Sequence, residues 1–405
     1  MGLLQERRLP VTVVTGFLGA GKTTLLRHLL RQGQARLAVV VNEFGEVGID
    51  GELIASCGFC PEEELEGRLV ELANGCLCCT VQEEFLPTML RLLERADQLD
   101  GIVVETSGLA LPEPLVDAFS WPEIRGRCRV HAVVTVVDGE ALAQGHVVGD
   151  GEAVEAQRRA DPSLDHLVAI EELFEDQLAA ADLVLVSRAD LLEPPAIDSV
   201  RQRLTPHLRP GTAVLTIAHG VAPVELLIDQ APLQEPRDHE PHDHETHGEA
   251  PQDDFPHDDA PQNHAEHART LHEHTHHDHE RDRDRDHGAH HHNHHDQDHH
   301  DQDREPHDHR HVAMRSLVLR RQGTWQREQL EHQLRRLIAT QPVLRLKGRW
   351  QQSGKKRLLQ IQAVGPRFDS WYEGEVGADG TDQLELVLLT AEAHADQVSQ
   401  ALAGL

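Results

Sequence analysis

The residues Gly16-Phe17-Leu18-Gly19-Ala20-Gly21-Lys22-Thr23-Thr24 carry the spacing G-x-x-x-x-G-K-[ST], which restricts the fold more than any other feature of the chain. Such a loop works only between a strand and a helix. Val11-Thr12-Val13-Val14-Thr15, just before it, is an apolar β-branched run suited to a buried strand; Leu25-Leu26-Arg27-His28-Leu29-Leu30, just after it, suits one helix face. In that setting backbone N–H groups surround phosphate oxygens, helped by the positive end of the helix dipole. Gly16, Gly19, Ala20, Gly21, Lys22, Thr23 and Thr24 are therefore the expected nucleotide-binding set. Lys22 would reach the terminal phosphates, and the Thr23 hydroxyl would ligate Mg²⁺.

From Val11 to Asp229 short apolar runs alternate with helix-like stretches. The expected strands are Val11–Thr15, Leu37–Val41, Ile102–Glu105, Val130–Val137, Leu183–Val186 and Ala213–Ile217, with amphipathic segments such as Phe85–Ala96 and Leu173–Ala180 between them. This order predicts an α/β domain over 1–229 with a mostly parallel sheet covered on both faces. Over 230–311 the composition turns to His, Asp, Glu, Gln and Pro; this stretch holds 23 of the 31 histidines. It has too few aliphatic residues to offset chain entropy and is expected to be a disordered linker. Over 312–405, strands at Met314–Leu319, Val343–Trp350, Arg357–Val364 and Gln383–Leu389, with helices at Trp325–Thr340 and Ala391–Leu402, predict a small α+β domain.

A formal charge of −31 argues against a nucleic-acid partner. No run approaches the roughly 18 to 20 apolar residues of a membrane span, and no secretory leader is visible, so a cytoplasmic protein is expected.

Further residues fit a nucleotide site. Glu105 ends an apolar strand and Gly108 follows in Glu105-Thr106-Ser107-Gly108, where an acid can meet Mg²⁺ and a glycine N–H can sense a γ-phosphate. Lys22, Glu105 and Gly108 form the expected catalytic set, with Asp138, at the end of another apolar strand, a rival acid. Asp190 in Ser187-Arg188-Ala189-Asp190 takes the place from which one carboxylate accepts both N–H groups of guanine, as in [NT]-K-x-D, so GTP is the expected nucleotide; Ser187 and Arg188 depart from that pattern. The alternative is that Asp190 only caps the next turn. Asn42–Asp50 is a glycine-punctuated loop suited to ordering by a γ-phosphate, and it carries Glu46.

Five of the six cysteines lie close together, which in a reducing compartment suggests metal or redox chemistry. In Cys76-Leu77-Cys78-Cys79, alternation puts Cys76 and Cys78 on one face, with Cys79 joining if the chain turns. Thiolates attract Co²⁺ and Zn²⁺, and Glu46, a histidine or water could complete the shell. Cys57 and Cys60 have C-x-x-C spacing and could share the site or pass metal to it. The imidazole-rich linker suits capture of the same ions.

The phosphate loop, the Glu105-Thr106-Ser107-Gly108 strand end, Cys76-Leu77-Cys78-Cys79, the His-rich linker and the small C-terminal domain together resemble the CobW family of metal-handling P-loop GTPases. Asn42–Asp50, Cys57–Cys60, Val104–Phe119 and Asp161–Leu178 look most like its member in aerobic cobalamin biosynthesis. The resemblance implies a GTP-dependent chaperone that binds Co²⁺ with Mg·GTP, at Cys76, Cys78 and Cys79, and supplies it to a cobaltochelatase. Zn²⁺ delivery to zinc enzymes is the first alternative. A passive His-rich metal store and a small-molecule kinase are readings of other classes.

Overall fold

A computed structural model describes residues 8–31, 35–41, 69–71, 85–160, 169–229, 313–374 and 382–405. The Asn42–Asp50 loop with Glu46, the cysteines Cys57, Cys60, Cys76, Cys78 and Cys79, and the His-rich stretch lie outside the described residues.

The first apolar run forms β1 (Leu9–Thr15), buried throughout, and α1 (Lys22–Arg31) follows the glycine-rich loop. Next come β2 (Leu37–Val41), β3 (Leu69–Glu71), α2 (Leu86–Leu93), β4 (Gly101–Glu105), α3 (Glu113–Ala118) and β5 (Cys128–Asp138). The domain continues through α4 (Gly139–Ala143), α5 (Gly151–Ala160), α6 (Ile170–Ala180), β6 (Leu183–Ser187), α7 (Pro194–Leu204), β7 (Ala213–Thr216) and α8 (Val224–Leu227). Seven parallel strands form one sheet in the order β3-β2-β4-β1-β5-β6-β7. All six strands expected from the sequence are present, and β3 is an addition. β1, β2, β4 and β6 are buried throughout and rich in Val, Leu and Ile because helices cover both faces. Leu25, Leu26 and Leu29 of α1 pack on one face, while Phe85, Met89 and Leu115 pack on the other. Cys128 belongs to the second core, where burial pushes its thiol up to about 12; it is a packing residue.

The C-terminal part forms a second, antiparallel sheet from β8 (Met314–Gln322), β9 (Val343–Gln351), β10 (Leu358–Val364), β11 (Arg367–Glu373) and β12 (Gln383–Ala391), in the order β11-β10-β9-β12-β8. Helices α9 (Arg327–Thr340) and α10 (Ala395–Ala403) pack Leu330, Leu334, Val398 and Leu402 against it. The last helix starts four residues later than Ala391, because Ala391 still pairs with Met314. Leu344, Val364 and Leu389 of this sheet join the core cluster that holds Leu25 and Leu26.

Two buried acids of the first domain are gripped by cations of the second. Asp182 is fully buried and takes Arg367 together with Arg209 of its own domain. Asp229 takes Arg129, Arg345 at 2.6 Å and Lys347 at 2.8 Å. Burial disfavours the ionised Asp229, and the cations paired with it (Arg129, Lys347 and Arg345) more than offset this, holding its carboxyl well below the usual range; the same burial and the Arg345 charge keep the neighbouring His131 neutral. Burial, then Arg345, pushes Lys347 down from 10.5 to about 8.

Replacing Asp229 by Asn should cost about 3–5 kcal/mol in denaturant unfolding at pH 7, because the buried Arg129 and Arg345 and the partly buried Lys347 lose their counter-charge; a loss under 1 kcal/mol would show that the cluster does not hold the two sheets together. Lys347 adds a pH effect. Between about 8 and 10.5 the folded chain holds fewer protons at Lys347 than the unfolded chain, so stability should rise with pH across that window. A melting series in wild type and K347M checks the sign, with the variant expected to lack this rise.

Candidate nucleotide site

The site begins with strand register. β1 and β4 are neighbours with Val14 opposite Glu105, so the phosphate loop leaves β1 beside the acid that ends β4. Thr106 N–H donates to the Val14 carbonyl at 2.9 Å, and the Thr106 hydroxyl donates to Thr15 Oγ1 at 3.0 Å, fastening the two strand ends together. Gly16 turns the chain at φ +133°, and a Cβ there would lie 2.1 Å from the Val136 carbonyl oxygen of β5. Only glycine fits. Gly19, Ala20 and Gly21 complete the loop, and Lys22, Thr23 and Thr24 open α1.

Lys22 is buried, and its Nζ donates to the carbonyls of Gly16 at 2.8 Å and Phe17 at 3.2 Å, which folds the ammonium back over the loop. The Thr23 hydroxyl donates to Glu105 Oε1 at 3.5 Å, and Glu105 is itself buried. At a Mg–O length of about 2.1 Å, adjacent octahedral ligands stand roughly 3 Å apart. A hydroxyl and a buried carboxylate at this spacing fit a hard, oxygen-ligated cation, which would neutralise phosphate charge. Thr23 and Glu105, each expected to serve Mg²⁺, thus lie next to each other.

Asp138 has other work. Its Oδ1 accepts the N–H groups of Glu140 and Ala141, both at 3.1 Å, capping α4, while Oδ2 takes Arg188 Nη1 at 2.6 Å. Arg188 also donates through Nη2 to the Gly19 carbonyl at 3.3 Å, so it links the base-side turn to the phosphate loop. It does so from a left-handed backbone, φ 55°, uncommon for a residue with a side chain. Ser187 is buried and donates to the Val137 carbonyl at 3.1 Å, which ties the end of β6 to β5.

Asp190 lies in a turn at the end of β6, with its carboxylate partly exposed and His219 Nε2 at 3.6 Å. Ala189 N–H donates to the Ile217 carbonyl at 3.2 Å, which brings the Ile217–Gly220 turn alongside. No sequence pattern singles out His219, which reaches Asp190 only through this turn. The open cleft of about 460 Å³ between Gly19, Glu140, Asp150 and Arg188 has too acidic a lining for a triphosphate, which favours the loop itself for the phosphates. Among the described residues no group of three His, Cys, Asp or Glu side chains is arranged to hold a metal ion, and the five clustered cysteines lie outside those residues. No helix among the described residues is long and apolar enough to cross a membrane.

A parallel sheet with the phosphate loop after β1, an acid on the adjoining strand and a base-side turn after β6 define a nucleotide-binding protein of the α/β P-loop class. The chain belongs to the CobW/HypB/UreG family: the family's nucleotide-binding domain matches residues 10–216, and the cobalamin synthesis protein cobW C-terminal domain matches residues 314–405. It is 56% identical over 223 residues to a zinc chaperone CobW of Pseudomonas aeruginosa, a match covering 55% of this chain and 60% of that one. A zinc chaperone CobW of a Sinorhizobium species is 45% identical over 224 residues, covering 55% and 63%. A zinc-regulated GTPase metalloprotein activator 1 of Dictyostelium discoideum is 28% identical over 235 residues, covering 55% and 48%. The matches to the two chaperones thus span 60% and 63% of their length.

Replacing Glu105 by Gln should weaken Mg²⁺-dependent binding of a non-hydrolysable GTP analogue at least tenfold, about 1.4 kcal/mol, and leave metal-free GDP binding unchanged. Titration with a fluorescent nucleotide measures both. Equal Mg²⁺ dependence in wild type and E105Q would remove Glu105 from the cation site.

Proposed function

We propose that the chain is a GTP-hydrolysing metallochaperone that loads a thiophilic divalent ion in its triphosphate state and yields it to a metal-requiring client after hydrolysis. The observation that carries this reading is one row of residues across the sheet. Val41 pairs with Glu71 on one side and with Glu105 on the other, and Glu105 pairs with Val14. Four strands therefore end together. In the sequence these strand ends are followed by the phosphate loop, by Asn42–Asp50, by the segment that holds Cys76, Cys78 and Cys79, and by the Gly108 segment.

In this reading Lys22, Thr23, Glu105 and Gly108 hold and sense Mg·GTP, Asp190 and Arg188 serve the guanine side, and Cys76, Cys78, Cys79 and Glu46 take the cargo. The zinc chaperones matched at 56% and 45% identity favour Zn²⁺ as that cargo. Co²⁺ delivered to a cobaltochelatase is the second reading, supported by the resemblance of Asn42–Asp50 and Cys57–Cys60 to the cobalamin-linked member and by the cobW C-terminal domain. Thiolate ligands alone bind both ions.

The double variant C76S/C78S should lose at least a hundredfold in Zn²⁺ and Co²⁺ affinity in the presence of Mg²⁺ and a GTP analogue, with nucleotide affinity kept. Unchanged metal affinity would make the thiols bystanders. Deleting residues 238–309 separates chaperone from store: a chaperone keeps its tight site, whereas a passive store loses most of its capacity.

A further inference from the structure

Helix α6 touches both halves of the phosphate site through two side chains three residues apart. Phe174 stacks on Phe17 of the phosphate loop, with ring centroids 6.1 Å apart and planes at 28°. Gln177, fully buried, donates from Nε2 to the carbonyls of Gly108 and Ala110, each at 3.1 Å. The helix backbone is fixed in turn, because the Thr135 hydroxyl of β5 donates to the Gln177 carbonyl at 3.1 Å. Gly108 presses on the phosphate loop from the other side: a Cβ there would lie 2.7 Å from the Leu18 nitrogen. The segment after Glu105 is thus held between the loop that binds phosphate and the amide of Gln177.

Packing alone does not explain a glutamine here. Its Oε1 is buried with no hydrogen-bond partner among the described residues, and burying an unpaired acceptor costs stability. A methionine of similar volume would fill the space without that cost. What glutamine adds is a pair of donors that fix two carbonyls of one short segment.

From this geometry we infer that Gln177 is a positioning residue for nucleotide discrimination. It holds Gly108–Ala110 against the phosphate loop, where the segment can respond to a third phosphate, and it ties that response to α6. A diphosphate needs only the loop around Gly16–Thr24 and should not feel the change. The inference rests on the GTPase reading and names the residue that sets its triphosphate preference.

The test uses the full-length chain with Q177M, which fills the site without donors, and Q177E, which sets a carboxylate against two carbonyl oxygens. Binding of Mg·GDP and of a non-hydrolysable GTP analogue, GTP turnover and melting temperature are measured for each. Both variants should keep GDP affinity within twofold and lose at least tenfold in analogue affinity and in kcat. Q177E should recover part of the loss between pH 8 and pH 6, as its carboxyl gains a proton and donates one hydrogen bond, while Q177M stays flat relative to wild type. Parallel losses for both nucleotides, following melting temperature, would make Gln177 purely structural and overturn the inference. Unchanged analogue binding in both variants would overturn it as well. If wild type itself neither prefers nor turns over GTP, the GTPase reading falls first, and this inference with it.

Discussion

The nucleotide site depends on β1 and β4 lying side by side with Val14 opposite Glu105. A phosphate loop by itself supplies N–H groups and one ammonium, which hold phosphates but do not discriminate among them. Discrimination needs an acid and a second loop at a fixed distance, and parallel pairing provides that distance because each strand's register is set by its neighbour. Glu105, Thr23 and the Gly108 segment follow from this one pairing. Moving β4 by one residue would turn the carboxylate to the opposite face of the sheet.

The same sheet also carries the joint to the second sheet. Asp182 immediately precedes β6, whose other end carries the Ser187–Asp190 turn, and Asp229 lies just beyond α8. Both acids are buried and take arginines from the antiparallel sheet. Buried ion pairs contribute little net stability compared with apolar packing, but removing one partner is costly. Such pairs therefore define one seating of the second sheet on the first more than they strengthen it, and the core shared by Leu25, Leu344 and Leu389 supplies the apolar contact.

Much of this was legible in the sequence for a simple reason: parallel strands covered on both faces must be largely apolar, so β1, β4, β5 and β6 stand out as Val- and Leu-rich runs. Leu69–Glu71 was not, because three residues carry no period. Arg367–Glu373 was not either: this edge strand of Arg-Phe-Asp-Ser-Trp-Tyr-Glu is half-buried along its whole length and has no alternation to read. In the site, Gly16–Thr24 was legible because its chemistry is contiguous, and Glu105 and Asp190 because they end apolar runs. Asp138 looked like a metal acid by the same rule, yet it caps a helix and pairs with Arg188, 50 residues away. Gln177 and His219 meet the site only through tertiary packing, Gln177 across 69 residues to Gly108, and no local pattern marks them.

If the triphosphate and the cargo ion share moving parts, their affinities are coupled reciprocally: the factor by which one ligand tightens the other must be the same in both directions. Calorimetric titration of Zn²⁺ and Co²⁺ with GDP and with a non-hydrolysable GTP analogue, and of each nucleotide with and without metal, closes that cycle. The account predicts an equal tightening in both directions, well above twofold for the analogue and near unity for GDP. Metal affinity that is the same with either nucleotide would contradict it.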